Sequence, residues 1–127
     1  MGHRILIVDD SPIIRAMLKR AIDMTGADVE ATDMAENGIE AIKSLAANGA
    51  DLVLADLNMP GMGGIELIKK MKANEHFSHV PVAVVSSDHS EARVRELLQL
   101  GVIDYLKKPF RPEHLKELLD RVFTKEN

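Results

Sequence analysis

The sequence has no cysteine and no tryptophan, and only one tyrosine and three phenylalanines in 127 residues. Without cysteine there is no disulfide, thiolate metal site, redox thiol or thiol nucleophile, and the absence fits a cytoplasmic protein. With aromatics at 3%, the core must be aliphatic, helped by seven methionines. An excess of basic charge is also missing. Sixteen Lys+Arg against twenty Asp+Glu leave a net charge of -4, and residues 1–60 carry ten acidic side chains against five basic ones. Phosphate-backbone binding and base stacking both lack their usual residues, so no direct nucleic-acid partner is expected. No apolar run approaches the roughly 20 residues that span a bilayer, and no membrane partner is expected. The short run Ile5 to Val8 is halted by Asp9-Asp10 and makes no signal peptide. There is no repeat, low-complexity segment or Ser/Pro-rich linker. What remains is one domain spanning residues 1–127, with hydrophobic residues at 46% supplying its core.

What is present is an alternation of two periods. Short β-branched or aliphatic runs stand at Ile5–Val8, Val29–Asp33, Leu52–Ala55, Val82–Val85 and Asp104–Lys107. Between and after them, five stretches repeat their apolar residues at helical spacing. The clearest carries Ile13, Ile14, Met17, Leu18, Ala21 and Ile22; Ser11 is placed to cap it, Pro12 to open it, and Gly26 follows its end. The others run from about residue 37 to 48, from near Gly64, from about residue 90 to 100, and from Pro112 onward. Strands alternating with helices imply an α/β fold with a parallel sheet covered on both faces. Doubly wound sheets of this kind gather functional groups at the carboxyl ends of their strands.

Those ends are rich in chemistry. Asp9 and Asp10 follow the first strand, Asp56 the third, Ser86, Ser87 and Asp88 the fourth, and Lys107, Lys108 and Pro109 close the fifth. If the first and third strands are neighbours, about 5 Å apart, three carboxylates share one pocket. Like charges at that range raise one another's pKa or must be neutralised. A hard divalent cation such as Mg²⁺ is the natural neutraliser, leaving one carboxylate able to act as a nucleophile. A lysine and a hydroxyl from the neighbouring strands complete a clamp for phosphoryl oxygens. Taken singly, each part has an ordinary alternative. Asp9 and Asp10 favour the positive end of the helix they precede, Asp56 suits a turn, Ser86-Ser87 a loop start, and Lys107-Lys108 a solvated strand end. Gly61, Gly63 and Gly64 form no dinucleotide fingerprint. The methionines read as core filler, and His3, His76, His79, His89 and His114 as surface residues without metal spacing. The joint placement, not any one residue, carries the signal.

The stretches Ile7-Val8-Asp9-Asp10-Ser11, Asp56-Leu57-Asn58-Met59-Pro60-Gly61-Met62-Gly63-Gly64, Val84-Val85-Ser86-Ser87 and Lys107-Lys108-Pro109-Phe110 resemble the receiver domain of two-component response regulators. The closest type is the single-domain chemotaxis-like member. The spacing matches as well, with thirty residues from Asp56 to Ser86 and twenty-two from Ser86 to Lys108. The resemblance covers Ile5 to about Phe123. It implies a flavodoxin-like (βα)5 fold with strand order 2-1-3-4-5, the order that a chemotaxis receiver exemplifies. It implies that Asp56 accepts a phosphoryl group from a phosphohistidine, and that Asp9, Asp10, Asp56 and the Asn58 backbone carbonyl hold Mg²⁺, with Asp10 and Asp56 placed first as direct ligands. Lys108 would pair with the acyl phosphate, ahead of Lys107, which alternation sends to the opposite face. Ser86 would donate its hydroxyl to a phosphoryl oxygen, and Tyr105 would move inward into the space it vacates. Asn58, Ser87 and Asp88 would border the phosphoryl group, Ser87 as a small residue that leaves it room, and a cis Lys108–Pro109 peptide is expected. Three positions depart from the family pattern. Gly63 stands where Asp or Asn is frequent, which weakens the cap of the third helix. Ser86 replaces the commoner Thr. Ser90-Glu91 stands where enteric chemotaxis receivers carry a basic pair, which puts flagellar-motor binding in question.

The expected function is a phosphorylatable switch of a two-component system. It is no enzyme beyond its own phosphorylation and dephosphorylation, and its output surface is the fourth helix, fifth strand and fifth helix. The expected partners are a sensor histidine kinase or phosphotransfer protein and a downstream protein target. The apolar arc of the first helix, roughly 180°, is wider than the ~100° a sheet-facing helix needs. Ile13 at its edge, close to Asp10, is therefore the expected kinase-docking residue. The alternatives are a receiver cut from a longer regulator with an effector, a Mg²⁺-dependent aspartyl-phosphate phosphohydrolase, and a flavin carrier. The hydrolase reading wants Asp-x-Asp after the first strand, where this chain has adjacent Asp9-Asp10. The flavin reading wants aromatic rings that this chain lacks.

Overall fold

The computed structural model describes residues 2–88 and 90–123. The reading of His89 as a surface histidine lies outside the described residues. Five strands, β1 (His3–Val8), β2 (Val29–Ala35), β3 (Leu52–Ala55), β4 (Val82–Ser86) and β5 (Asp104–Lys107), alternate with five helices. These are α1 (Pro12–Met24), α2 (Gly38–Asn48), α3 (Gly64–Lys72), α4 (Glu91–Gln99) and α5 (Pro112–Phe123). The strands form one parallel sheet in the order β2-β1-β3-β4-β5.

Alternation along each strand sends its side chains to two separate cores. Leu6, Val8, Val53, Ala55, Val82 and Val84 pack with buried residues of α2, α3 and α4. Ile5, Ile7, Leu52, Leu54, Ala83, Val85 and Leu106 pack with Leu18, Ala21 and Ile22 of α1 and Leu115, Leu118 and Leu119 of α5. The central strands are fully buried because both faces are covered. Helix starts follow local chemistry. The Ser11 hydroxyl accepts from the Ile14 N–H at 3.2 Å, with Pro12 at the first helical position. Asn37 caps α2 by accepting from the Glu40 N–H at 2.9 Å. Helix α3 starts at Gly63 with no side-chain cap. A Cβ on Gly63 would stand 2.9 Å from the Leu57 carbonyl oxygen, and one on Gly64 would overlap the Asp56 carbonyl oxygen. Both glycines let α3 pack against the backbone that carries Asp56.

Some expectations need correction. Three strands are longer than the apolar runs suggest, β4 by Ser86, which pairs with Lys107. His3 and Arg4 extend β1 by pairing with Val29 and Ala31, and Met34 and Ala35 extend β2. An Arg4–Asp33 ion pair at 3.0 Å ties that polar end together. His3 and His114 are half-buried, not surface residues. His3 stacks on Phe123 with ring centroids 4.1 Å apart, and His114 bonds the Asp104 carboxylate at 3.1 Å. The wide apolar arc of α1 is only partly used by the core: Leu18, Ala21 and Ile22 are buried, whereas Ile13 and Met17 are 71% and 48% exposed.

Candidate functional site

The register sets the site. Val8 pairs with Ala55, and Ala55 pairs with Val84, so Asp9 and Asp56 leave neighbouring strands at the same level. Asp9 and Asp56 are buried, while Asp10 is exposed beside them. One carboxylate oxygen from each of the three falls within 4.8 Å of the others. Asp9 is held firmly: its Oδ1 accepts from the Ser11 N–H at 2.9 Å, and its backbone carbonyl accepts from Arg15. Lys108 arrives from the end of β5 and places its Nζ 2.9 Å from Asp9 Oδ2 and 3.6 Å from Asp56 Oδ1. The ammonium thus sits on Asp9 first and reaches Asp56 second. The neighbouring Lys107 is exposed. The Lys108–Pro109 peptide is cis.

Burial pushes the Asp56 carboxyl above the ordinary value, and the charge of Asp9 adds to the rise. Lys108 and the backbone N–H groups of Leu57 and Asn58 pull the other way without cancelling it. A buried carboxylate beside a second one, with a single lysine shared between them, is under-neutralised. That is the electrostatic condition a divalent cation with oxygen ligands relieves, and the carboxylate oxygens gathered here are of the kind Mg²⁺ takes. Asn58 is exposed.

Ser86 is fully buried at the end of β4, and its Oγ accepts from the Asp88 N–H at 3.2 Å. Ser87 is exposed and Asp88 half-buried. Tyr105 on β5 packs against the core on the α2–α3–α4 side. The sequence reading brings Tyr105 inward only after Ser86 moves. Here the phenol oxygen is already buried, and it makes no hydrogen bond. The Asp88 carboxylate is taken by Arg93, whose Nε lies 3.2 Å away, while the same guanidinium reaches Glu96 at 2.9 Å. Arg93 was not among the sequence-derived site residues. Its only sequence signal is Glu96 three residues on, at helical spacing, with Asp88 five residues before it. Away from the carboxylates, a groove of about 430 Å³ between α1 and α5 is lined by Met17, Ala21, Met24 and Phe110. It lies on the helix that also exposes Ile13.

The comparisons with known proteins agree with this geometry. The model of the response regulator receiver domain matches residues 5–120. Chemotaxis protein CheY-3 of Vibrio cholerae is 37% identical over 122 residues, covering 96% of this chain and 92% of the relative. Chemotaxis protein CheY1 of Helicobacter pylori is 38% identical over 120 residues, covering 94% and 95%. Among solved structures, Vibrio cholerae CheY4 superposes with a TM-score of 0.85 at 29% identity over 97% of this chain and all of that one. The receiver domain of the sensor histidine kinase PA1611 of Pseudomonas aeruginosa gives 0.84 at 26% identity, over 98% of this chain and 100% of that one. That structure holds a magnesium ion in its active-site cleft. No helix among the described residues is long and apolar enough to cross a membrane.

Proposed function

The chain belongs to the response regulator receiver family, and on that footing we propose that Asp56 is its phosphoacceptor. The observation that carries the reading is the trio Asp9, Asp10 and Asp56, with carboxylate oxygens within 4.8 Å of one another, and Lys108 shared between Asp9 and Asp56. A CheY-like receiver is a signalling component of a two-component system and not a classical enzyme. Its chemistry is confined to its own phosphorylation state.

Asp9, Asp10, Asp56 and the Asn58 backbone carbonyl would hold Mg²⁺, which when bound supplies positive charge to the phosphoryl oxygens. The remaining work falls to this chain's own groups. An Asp56 carboxylate oxygen attacks phosphorus. The P–N bond to the donor histidine breaks as the P–O bond forms, and the imidazole leaves with the electron pair of that bond. Lys108 is 3.6 Å from Asp56, close enough to move from Asp9 onto the new phosphoryl oxygens. Its charge-assisted contact counters the growing negative charge. The Ser86 hydroxyl, which accepts from Asp88, keeps its own proton free to donate to a phosphoryl oxygen. Ser87 leaves room at the mouth, and Asp88 borders it. Ser86 and Tyr105 then transmit the change to the surface of α4, β5 and α5, where a downstream protein binds. The phosphodonor, a histidine kinase or phosphotransfer protein, docks on α1 through Ile13, whose side chain is 71% exposed in the first turn beyond Asp10.

Acetyl phosphate with Mg²⁺ should add one acid-stable, base-labile phosphoryl group, and Asp56→Asn should abolish it. Labelling at unchanged yield in Asp56→Asn would move the acceptor elsewhere. Ile13→Asp should accept phosphate from acetyl phosphate but not from its kinase. An equal loss with both donors would show damage to the site and not to docking.

A further inference from the structure

At the β5 edge of the sheet lies a cavity of about 400 Å³, lined by Tyr105, Lys107, Pro109, Arg111 and His114. Three of those five side chains are basic and none is acidic, in a chain whose net charge is -4. The local sequence explains the gathering. Alternation along β5 puts Tyr105 and Lys107 on one side of the strand. After the turn at Pro109 the chain enters α5, where Arg111 and His114, three residues apart, come back to the same opening. The acids nearby are already engaged or turned away. Asp104 accepts from the Tyr105 N–H at 2.7 Å and from Arg121 at 2.9 Å, and faces His114 Nε2 at 3.1 Å. Glu113, between Arg111 and His114 in the chain, lines the groove beside α1 instead. Lys107 and Arg111 are both exposed, and neither makes an ion pair among the described residues.

We propose that this cavity receives an acidic side chain of the downstream protein, with Lys107 and Arg111 taking its carboxylate. This rests on the reading of α4, β5 and α5 as the output surface. Two cations that share a cavity without a counter-ion repel one another, and a carboxylate between them removes that repulsion. The planar fork of Arg111 suits a carboxylate, and Lys107 adds a point charge beside it. Exposed Ile103, directly before β5, and exposed Leu98 on α4 suit apolar residues flanking that acid. A nucleic acid fits less well, because a phosphate backbone needs a track of cations, and residues 1–60 carry ten acidic side chains against five basic ones. The cavity is also coupled to the phosphorylation site. Lys107 pairs with Ser86 across β4 and β5, and Tyr105 forms part of the wall. A movement of either group reshapes the cavity, which ties binding of the acid to the state of Asp56.

A dodecapeptide library displayed on phage is selected against the protein loaded with Mg²⁺ and beryllofluoride, and the strongest binder is synthesised with a fluorescent label. Its affinity is measured by anisotropy for the wild type, Lys107→Gln, Arg111→Gln and the double variant, with and without beryllofluoride. The binder should carry an Asp or Glu whose replacement by its amide weakens wild-type binding by at least about fivefold. The double variant should show a comparable loss, and no further loss with the amide peptide. It should still take a phosphoryl group from acetyl phosphate at the wild-type rate. A binder without an acid, or one held equally well by the double variant, overturns the proposal. So does a labelled single-stranded oligonucleotide that binds more tightly than the peptide and is released by the same double variant. Equal affinity with and without beryllofluoride overturns the output-surface reading instead, and the loss in the double variant still decides the role of the cavity.

Discussion

Helices α3 and α4 are each nine residues long and lie over the same face of the sheet, yet they are held in different ways. Helix α3 buries Gly64, Leu67, Ile68 and Met71, and its first residue rests on the Asp56 backbone. Helix α4 buries Leu97 alone and leaves Leu98 62% exposed. What α3 gets from packing, α4 gets from caps and ion pairs: Ser90 to the Arg93 N–H, and Arg93 to Asp88 and Glu96. Exposed ion pairs contribute little stability, whereas buried aliphatic groups contribute most of it. The proposed phosphoacceptor Asp56 thus has its backbone against the firmly packed α3, and α4, part of the proposed output surface, is lightly attached. Regions that move in signalling are drawn from the low-stability end of a fold, and here that end can be named residue by residue.

The largest effect is expected on α3. Leu67→Ala should lower global stability by about 2–5 kcal/mol and slow phosphorylation of Asp56 along with it, measurable by denaturant titration and acetyl phosphate kinetics. Leu97→Ala removes an equal side chain from α4, but that helix can detach locally instead of dragging down the whole domain. The global loss should fall below the ~2 kcal/mol floor of that range, while α4 amides lose hydrogen-exchange protection and β3 amides keep theirs. Equal global losses for the two variants would remove the distinction between the helices. Ser90→Ala deletes the cap that α4 depends on and should cost about 1 kcal/mol, confined by hydrogen exchange to α4.

Much of this was legible in the sequence, and the exceptions follow a pattern. The five strands and the cap at Ser11 follow from periodicity and local chemistry, because each is decided within a few residues. The strand order that gathers Asp9, Asp10, Asp56 and Lys108 follows from the resemblance to the receiver family. What was not legible depends on where a side chain goes once its neighbours are in place. Lys108 binds Asp9 more closely than Asp56 because Asp9 is fixed by the start of α1 and offers its second oxygen. His3 is partly covered because Phe123 stacks on it, and His114 is tied down because Asp104 lies within its reach. Gly63 reads as a missing cap, but the Leu57 carbonyl leaves little room there for any side chain. Arg93 looks like one more charge on a solvated helix until its bonds to Asp88 and Glu96 are seen.

The smallest effect separates α4 from α5, through acid. Hydrogen bonds from the Arg93 side chain, and after it the Ser90 N–H, hold the Asp88 carboxyl below its ordinary value. Burial raises Asp104, but the Tyr105 N–H, Arg121 and His114 together outweigh it and leave that carboxyl lowered as well. A carboxyl lowered on folding stabilises the fold fully above its unfolded pKa and loses that contribution as pH falls through its folded pKa. Both contributions are therefore intact at neutral pH and fade below about pH 4. The consequences differ because the packing beneath differs. Asp104 ties β5 to α5, which still buries Leu115, Leu118 and Leu119 when the carboxylate is neutralised. Asp88 ties the β4 end to α4, which then has Leu97 and the Ser90 cap. On lowering pH from about 6 to about 3, hydrogen-exchange protection factors should fall in α4 before α5, and Asp88→Asn should bring the α4 loss to neutral pH. Simultaneous loss in both helices, or earlier loss in α5, would mean that α4 is held by more than the one leucine, the cap and the ion pairs.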